Sequence, residues 1–213
     1  MYNGREGSDA AVTPKIFILV QNNGFVYQKE DKKEYQSFPV EEPGRVPNVP
    51  FYHYLLSAGK TYQKQLAKLL KKESNSIFKP NFYLCLPDDT VETDRNLLLG
   101  FFYGCGAGII HSGEQCQYLG SKSENYLSLS RSERAIALRY VKQGEILATR
   151  YYEKTFSDPI AMKQDMFSLH PDCQGGRLPV LIYDPEEALA PFYCLGQKVN
   201  LDHLMEHFAN AWK

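Results

Sequence analysis

The sequence predicts an α/β fold of two mixed sheets with flanking helices. Three observations carry that expectation. Short apolar runs of strand type alternate with amphipathic helical stretches. Tight hairpin turns sit beside crossover helices, so each sheet must mix antiparallel and parallel pairs. The order of elements begun at Lys15 starts again at Asn125, which marks an internal duplication.

Taken in order, residues 1–14 read as a flexible leader, with no apolar segment of the kind a signal peptide needs. KIFILV (15–20) is a buried strand, NNG (22–24) a hairpin turn, and FVYQKE the returning strand. A third strand, EYQSFPV, leads into a Pro-rich loop over 40–50 that is neither helix nor central strand. In 51–73 the apolar positions Tyr54, Leu55, Ala58, Tyr62, Leu66, Leu69 and Leu70 recur at helical spacing. NFYLCL is a strand, the stretch around Arg95 a helix, and the cluster Gly104, Gly106 and Gly108 stops that helix before the next strand. The second half repeats this with strands NYLSLSR, RAIALRYVKQ and EILATRYYEKT. A helix follows, opened by Asp158 and Pro159, then strands LPVLIYD and FYCLGQKVN and a closing amphipathic helix. The halves therefore span 15–120 and 121–213, with a cleft expected between them.

Composition narrows the function classes. Among 213 residues, 24 Lys and Arg face 25 Asp and Glu, a net charge of −1, which argues against a chain built to neutralise nucleic-acid phosphate. No apolar run is long enough to span a membrane. The five cysteines are odd in number and scattered, with no C-x-x-C pair. They indicate a reduced, cytoplasmic setting without a zinc site, and Cys85 and Cys194 read as small hydrophobes in strands.

The segment YLCLPDDTVETDRNLLLGFFYGCGAGIIHSGEQCQYLG, with Pro87, Arg95, the glycines and then Gly120, resembles the actin-like ATPase superfamily: actin, heat-shock chaperones, and bacterial shape-determining, pilus and secretion-platform proteins. In that family a strand with a Pro-containing loop precedes a helix with an early Arg and an Ala-Gly end. The resemblance runs over about residues 15–213 and implies a duplicated actin-like (ribonuclease-H-like) fold. Its phosphate loops, however, are degenerate here. The first reads Gln21, Asn22, Asn23, Gly24 in place of Asp-x-Gly-Thr. In the second, the family's Asp falls on Ser128 and its glycines on Ser130, Arg131 and Ser132. The adenosine-pocket Gly-Gly would fall on Pro185, Glu186 and Glu187. Backbone amides approach phosphate only where no Cβ intervenes, and metal-assisted transfer needs a carboxylate near the cation.

Other patterns have plain structural readings. AGKT (58–61) lies within a helix and lacks the first glycine of a phosphate loop. HLMEH (203–207) places two imidazoles on one helix face with no third ligand downstream. Asp88, Asp89, Glu92 and Asp94 suit a helix start capped by Thr90 or Thr93, or else a cation site. Arg131 and Arg134 sit either on a solvated tip or at an anion.

The resulting expectation is a non-catalytic, cytoplasmic actin-like scaffold with protein partners and no cofactor. A bacterial pilus or secretion platform is one setting, in which it would sit near a membrane through a partner or an anchor outside this sequence. The alternative is a divergent ATPase using ATP with magnesium on Asp88 or Asp184. A metal-dependent nuclease is disfavoured because the first strand has no carboxylate. A partner surface is expected at Arg45, Phe51 and Tyr52, where stiff prolines meet aromatics.

Overall fold

The computed structural model describes residues 13–30, 32–41, 46–74 and 78–212; the leader expected at the N-terminus falls, over 1–12, outside the described residues. The first sheet contains β1 (Lys15–Gln21), β2 (Gly24–Lys29), β3 (Gln36–Pro39), β4 (Asn81–Leu86) and β5 (Ile110–Glu114), in the order β3-β2-β1-β4-β5. The second contains β6 (Asn125–Arg131), β7 (Ala135–Lys142), β8 (Glu145–Glu153), β9 (Val180–Tyr183) and β10 (Gln197–Val199), in the order β10-β9-β6-β7-β8. Read outward from β1 and from β6, the two orders are the same. In each sheet three antiparallel strands come first, and two parallel strands follow on the other side of the first. The duplication seen in the sequence is thus a duplication of topology.

Helix α1 (Leu55–Ser74), preceded by a 3-10 turn over Phe51–Tyr54, joins β3 to β4, and α2 (Glu92–Gly104) joins β4 to β5. Helix α3 (Pro159–Ser168) joins β8 to β9, and α4 (Leu201–Asn210) follows β10. Strand alternation sorts the side chains into three cores. Ile16, Ile18 and Val20 point to the outer layer with Leu66, Leu98, Phe101 and Phe102 of α1 and α2. Phe17 and Leu19 point inward, where α4 supplies Leu204, Met205 and Phe208 between the sheets, against Tyr126 and Tyr183 of the second sheet. Leu127 and Leu129 point to the other outer layer, with Met162 and Met166 of α3. β1 therefore reads as an unbroken apolar run because both of its faces are buried.

Local chemistry sets the boundaries. The Asp158 carboxylate accepts from the amides of Ile160 (2.9 Å) and Ala161 (3.1 Å), with Pro159 in the first turn, as the sequence indicated. Gly106 ends α2 in the left-handed region at φ 99°, which a side chain would resist. The Gly108 amide then donates to the Pro80 carbonyl at 2.7 Å, turning the chain into β5. Gly24 closes the β1–β2 hairpin at φ 152°, where a Cβ would run into the Phe38 carbonyl. AGKT lies inside α1.

Three expectations are corrected. FYCLGQKVN opens within a 3-10 turn over Ala190–Leu195, started by Pro191, and only Gln197–Val199 is a strand. Cys194 is consequently exposed rather than a strand residue, while the other four cysteines are buried. α2 is capped by neither Thr90 nor Thr93. The Val91 amide donates to Asp94 within the first turn at 3.3 Å, and the Thr90 hydroxyl donates back to the Pro87 carbonyl.

The outer core of the first half centres on Phe25, whose ring lies 5.1 Å from Phe102, 5.2 Å from Phe51 and 5.6 Å from Phe101. Replacing it leaves a cavity among rings that cannot all move in. Phe25→Ala should lower the unfolding free energy by about 3–5 kcal/mol in urea titration.

Candidate functional site

The candidate site is the crevice where the β1–β2 turn, the β4–α2 loop, the β6–β7 hairpin and the loop after β9 converge. It lies outside the carboxyl ends of parallel strands, where α/β proteins commonly place ligands. A cavity of about 180 Å³ remains, lined by Gln21, Asn22, Asn23, Gln115, Arg131, Tyr183 and Glu186 with two prolines. Ligand pockets for whole cofactors usually measure about 300–1,000 Å³.

Much of the crevice is filled by bonds between the two sheets. Asp88, fully buried behind Pro87, accepts from the Cys116 amide at 2.8 Å and from the Ser130 hydroxyl at 2.5 Å. Asp89 accepts from the Ser132 hydroxyl (2.5 Å) and from Nε of Arg134 (2.9 Å). Nη2 of Arg134 donates to the Asp89 carbonyl at 2.7 Å and reaches Asp94 Oδ2 at 2.5 Å. Asp94 in turn meets Nε2 of His53 at 2.7 Å. Burial pushes the Asp94 carboxyl up, but the hydrogen bonds from His53 and Arg134 prevail and hold it below the ordinary value of 3.8. Nearer the centre, Arg139 is only 5% exposed. It pairs with Glu114, donates to the Asp88 carbonyl, and donates to the Tyr151 hydroxyl at 2.9 Å. Burial raises the Glu114 carboxyl above its usual range, with Arg139 opposing the shift.

These contacts reassign the acidic cluster. Asp88, Asp89 and Asp94 bond to Ser130, Ser132 and Arg134 of the second half as well as to groups of their own half. Glu92 and Asp94 also stand in the first turn of α2, as the sequence indicated, with Glu92 on the surface beside Arg95 at 4.0 Å. Among the described residues, Asp88, Glu114 and Cys116 are the one trio close enough to hold a metal ion. Arg139 lies among them, paired with Glu114, bonded to the Asp88 carbonyl and 3.8 Å from the Cys116 sulfur. A guanidinium therefore already supplies the positive charge. Asp184, the other carboxylate expected to hold magnesium, is fully engaged: it accepts from the amides of Ala188 (2.9 Å) and Leu189 (2.6 Å) and from the Tyr193 hydroxyl (2.7 Å).

The remaining site residues divide clearly. The Asn22 amide donates to Glu186 at 2.9 Å and that of Gln21 to the Tyr183 hydroxyl at 3.4 Å, two further ties across the crevice. Asn23 offers its carbonyl to the Val40 amide, and Gly24 is buried in the turn. Ser128 is wholly buried, and its hydroxyl has no partner among the described residues. Arg134 is neither a solvated tip nor an anion site. Arg131 lines the cavity, and its buried Nε has no partner among the described residues.

The expected partner surface fails on burial. Phe51 and Tyr52 are 1% and 2% exposed and anchor α1 to the core, while Arg45 lies outside the described residues. In HLMEH the rings of His203 and His207 stand 4.1 Å apart, in no cluster of three ligands among the described residues. Sequence reasoning overlooked Arg139 and Glu114. The available signal was an arginine within AIALRYV, since a charge in a buried strand requires a partner.

No protein-family model and no curated protein sequence matches the chain. Solved structures do. The ethanolamine utilization protein EutJ of Carboxydothermus hydrogenoformans matches with a TM-score of 0.51 at 10% identity, over 95% of this chain and 89% of that one. An AlfA filament bound to AMPPNP matches with a TM-score of 0.51 at 13% identity, over 95% of this chain and all of that one. MreB5 of Spiroplasma citri bound to ADP, at a TM-score of 0.49 and 11% identity, is matched over 73% of this chain, which spans only 56% of that protein's length. The chain has the duplicated actin-like fold.

Removing one member of the inter-sheet pairing strands buried charge. Arg134→Met should cost about 3–5 kcal/mol, measured by urea unfolding at neutral pH. Asp94 adds a pH signature. Its folded pKa is depressed, so its contribution is present above about pH 4 and lost as pH falls through the lowered value. The urea midpoint should drop on acidification below pH 4, and Asp94→Asn should flatten that limb.

Proposed function

We propose that the chain is a non-catalytic actin-like assembly protein, working in the cytoplasm through protein partners, with a bacterial pilus or secretion platform as its setting. The observation that carries this reading is the occupation of the crevice by the protein's own charges. Arg134 sits against Asp89 and Asp94, and Arg139 sits against Glu114 and the Asp88 carbonyl. The side chains of Ser130 and Ser132 project where a phosphate-binding hairpin needs bare backbone. Among the described residues of the cluster, Asp88, Asp89 and Asp94 are engaged by protein donors, and Glu92 stands outside the crevice on the surface. The ties between the sheets do what a bridging ligand would do, and the fold is left to act through its surfaces.

A second reading is favoured by one observation. Arg131, with its buried unpartnered Nε, faces a cavity lined by carboxamides, a donor set suited to a small anion such as the phosphate of a nucleotide. The AlfA structure, a filament bound to AMPPNP, is a precedent for assembly with nucleotide in this fold.

Calorimetric titration with magnesium-ATP separates the two. The first reading expects no binding heat into the millimolar range, and sedimentation profiles that are identical with and without nucleotide. Micromolar, magnesium-dependent affinity that disappears in Arg131→Ala would replace it with the second.

A further inference from the structure

The second outer layer carries a groove that the crevice does not use. Helix α3 is apolar on both sides: Met162 and Met166 face the core, while Ile160 and Phe167 face outward at 71% and 38% exposure. Residues 160, 163 and 167 share one helix face, so Lys163 lies between the two exposed apolar side chains and approaches the Phe167 ring at 6.0 Å. Beside this stripe, Leu127, Met166, Leu178, Val180 and Leu195 form a pocket of about 230 Å³. Gly176, at φ 60°, lets the following loop pass directly under Phe167, where a Cβ would sit 2.8 Å from the ring. The rim is cationic. Lys163 lines the pocket, Arg177 adjoins it, and neither makes an ion pair with another described residue. The nearby acids are committed elsewhere, Asp165 to Arg150 and Asp172 to Lys142 at 2.9 Å.

We propose that this groove docks a segment of a partner protein that inserts one aromatic or branched side chain and flanks it with carboxylates. Its volume suits a single anchoring side chain rather than a cofactor, which takes about 300–1,000 Å³. A filled apolar pocket ringed by weaker contacts is the usual energetic centre of an interface. The unpaired rim cations choose the charge of the flanks, and Ile160 extends the contact along α3. The inference stands apart from the reading of the crevice and does not depend on whether nucleotide binds there.

Cys194 supplies a reporter, because it lines the pocket and is the one exposed cysteine among the five. The probes are a fluorescein-labelled peptide with Phe-Leu between pairs of Asp residues, and the same peptide with Lys in place of Asp. The acidic peptide should bind, and it should slow the reaction of Cys194 with Ellman's reagent at least fivefold. K163E/R177E, checked for an unchanged thermal melt, should weaken that peptide at least tenfold and strengthen the basic one. Equal binding of both peptides, no protection of Cys194 at millimolar acidic peptide, or protection by octanoate alone would overturn the proposal.

Discussion

Guanidinium groups of one sheet reaching acidic groups of the other are the interaction on which the rest of this structure depends. A buried charge is tolerated only when it is paired and its remaining hydrogen-bonding capacity is used. Arg134 meets that condition with two carboxylates and a main-chain carbonyl. Arg139 is paired with a carboxylate, a carbonyl and a phenol through its two terminal nitrogens, while its buried Nε has no partner among the described residues. Such directional pairing fixes the register of the two sheets in a way that apolar contact alone would not. The central apolar layer around α4 packs between the two sheets.

The same arrangement sets the chemistry of the crevice. A phosphate-binding hairpin exposes backbone amides and keeps carboxylates available. Here the β6–β7 hairpin carries Ser130, Arg131, Ser132 and Arg134, and their side chains occupy the space that glycines would leave open. Asp88 accepts from a main-chain amide and a serine hydroxyl, which is the environment of a structural carboxylate. Between these side chains lies a small polar cavity with carboxamide walls and one guanidinium.

Local signals carried most of the fold and little of the site. The β1–β2 hairpin, the Asp158 cap and the restart at Asn125 were legible because turn chemistry and alternation act over a few residues. Glu92 and Asp94 do stand in the first turn of α2, as the sequence indicated, but the pairing of Asp94 and Asp89 with Arg134, 40 and 45 residues further on, lies beyond any local pattern. Phe51 and Tyr52 looked available because they follow a Pro-rich loop. In the structure Tyr52 is buried within 3.4 Å of both Asp94 and Arg134, so it belongs to the inter-sheet pairing. The run FYCL shows a different limit: four apolar residues fit a strand or a 3-10 turn equally well, and Pro191 decided for the turn.

Helix α4 has a consequence for how the molecule comes to be made. It is supplied by the second half yet covers the inner face of the first sheet, with Phe208 against Phe17, and Trp212 against Tyr83. The Lys15 ammonium reaches the Trp212 carbonyl across 197 residues. During vectorial synthesis the first sheet can assemble, but Phe17, Leu19 and Tyr83 stay wet until residues 201–212 leave the ribosome. Contacts this distant in sequence slow folding, and a half-built intermediate with one bare apolar face is the species that chaperones are recruited to shield.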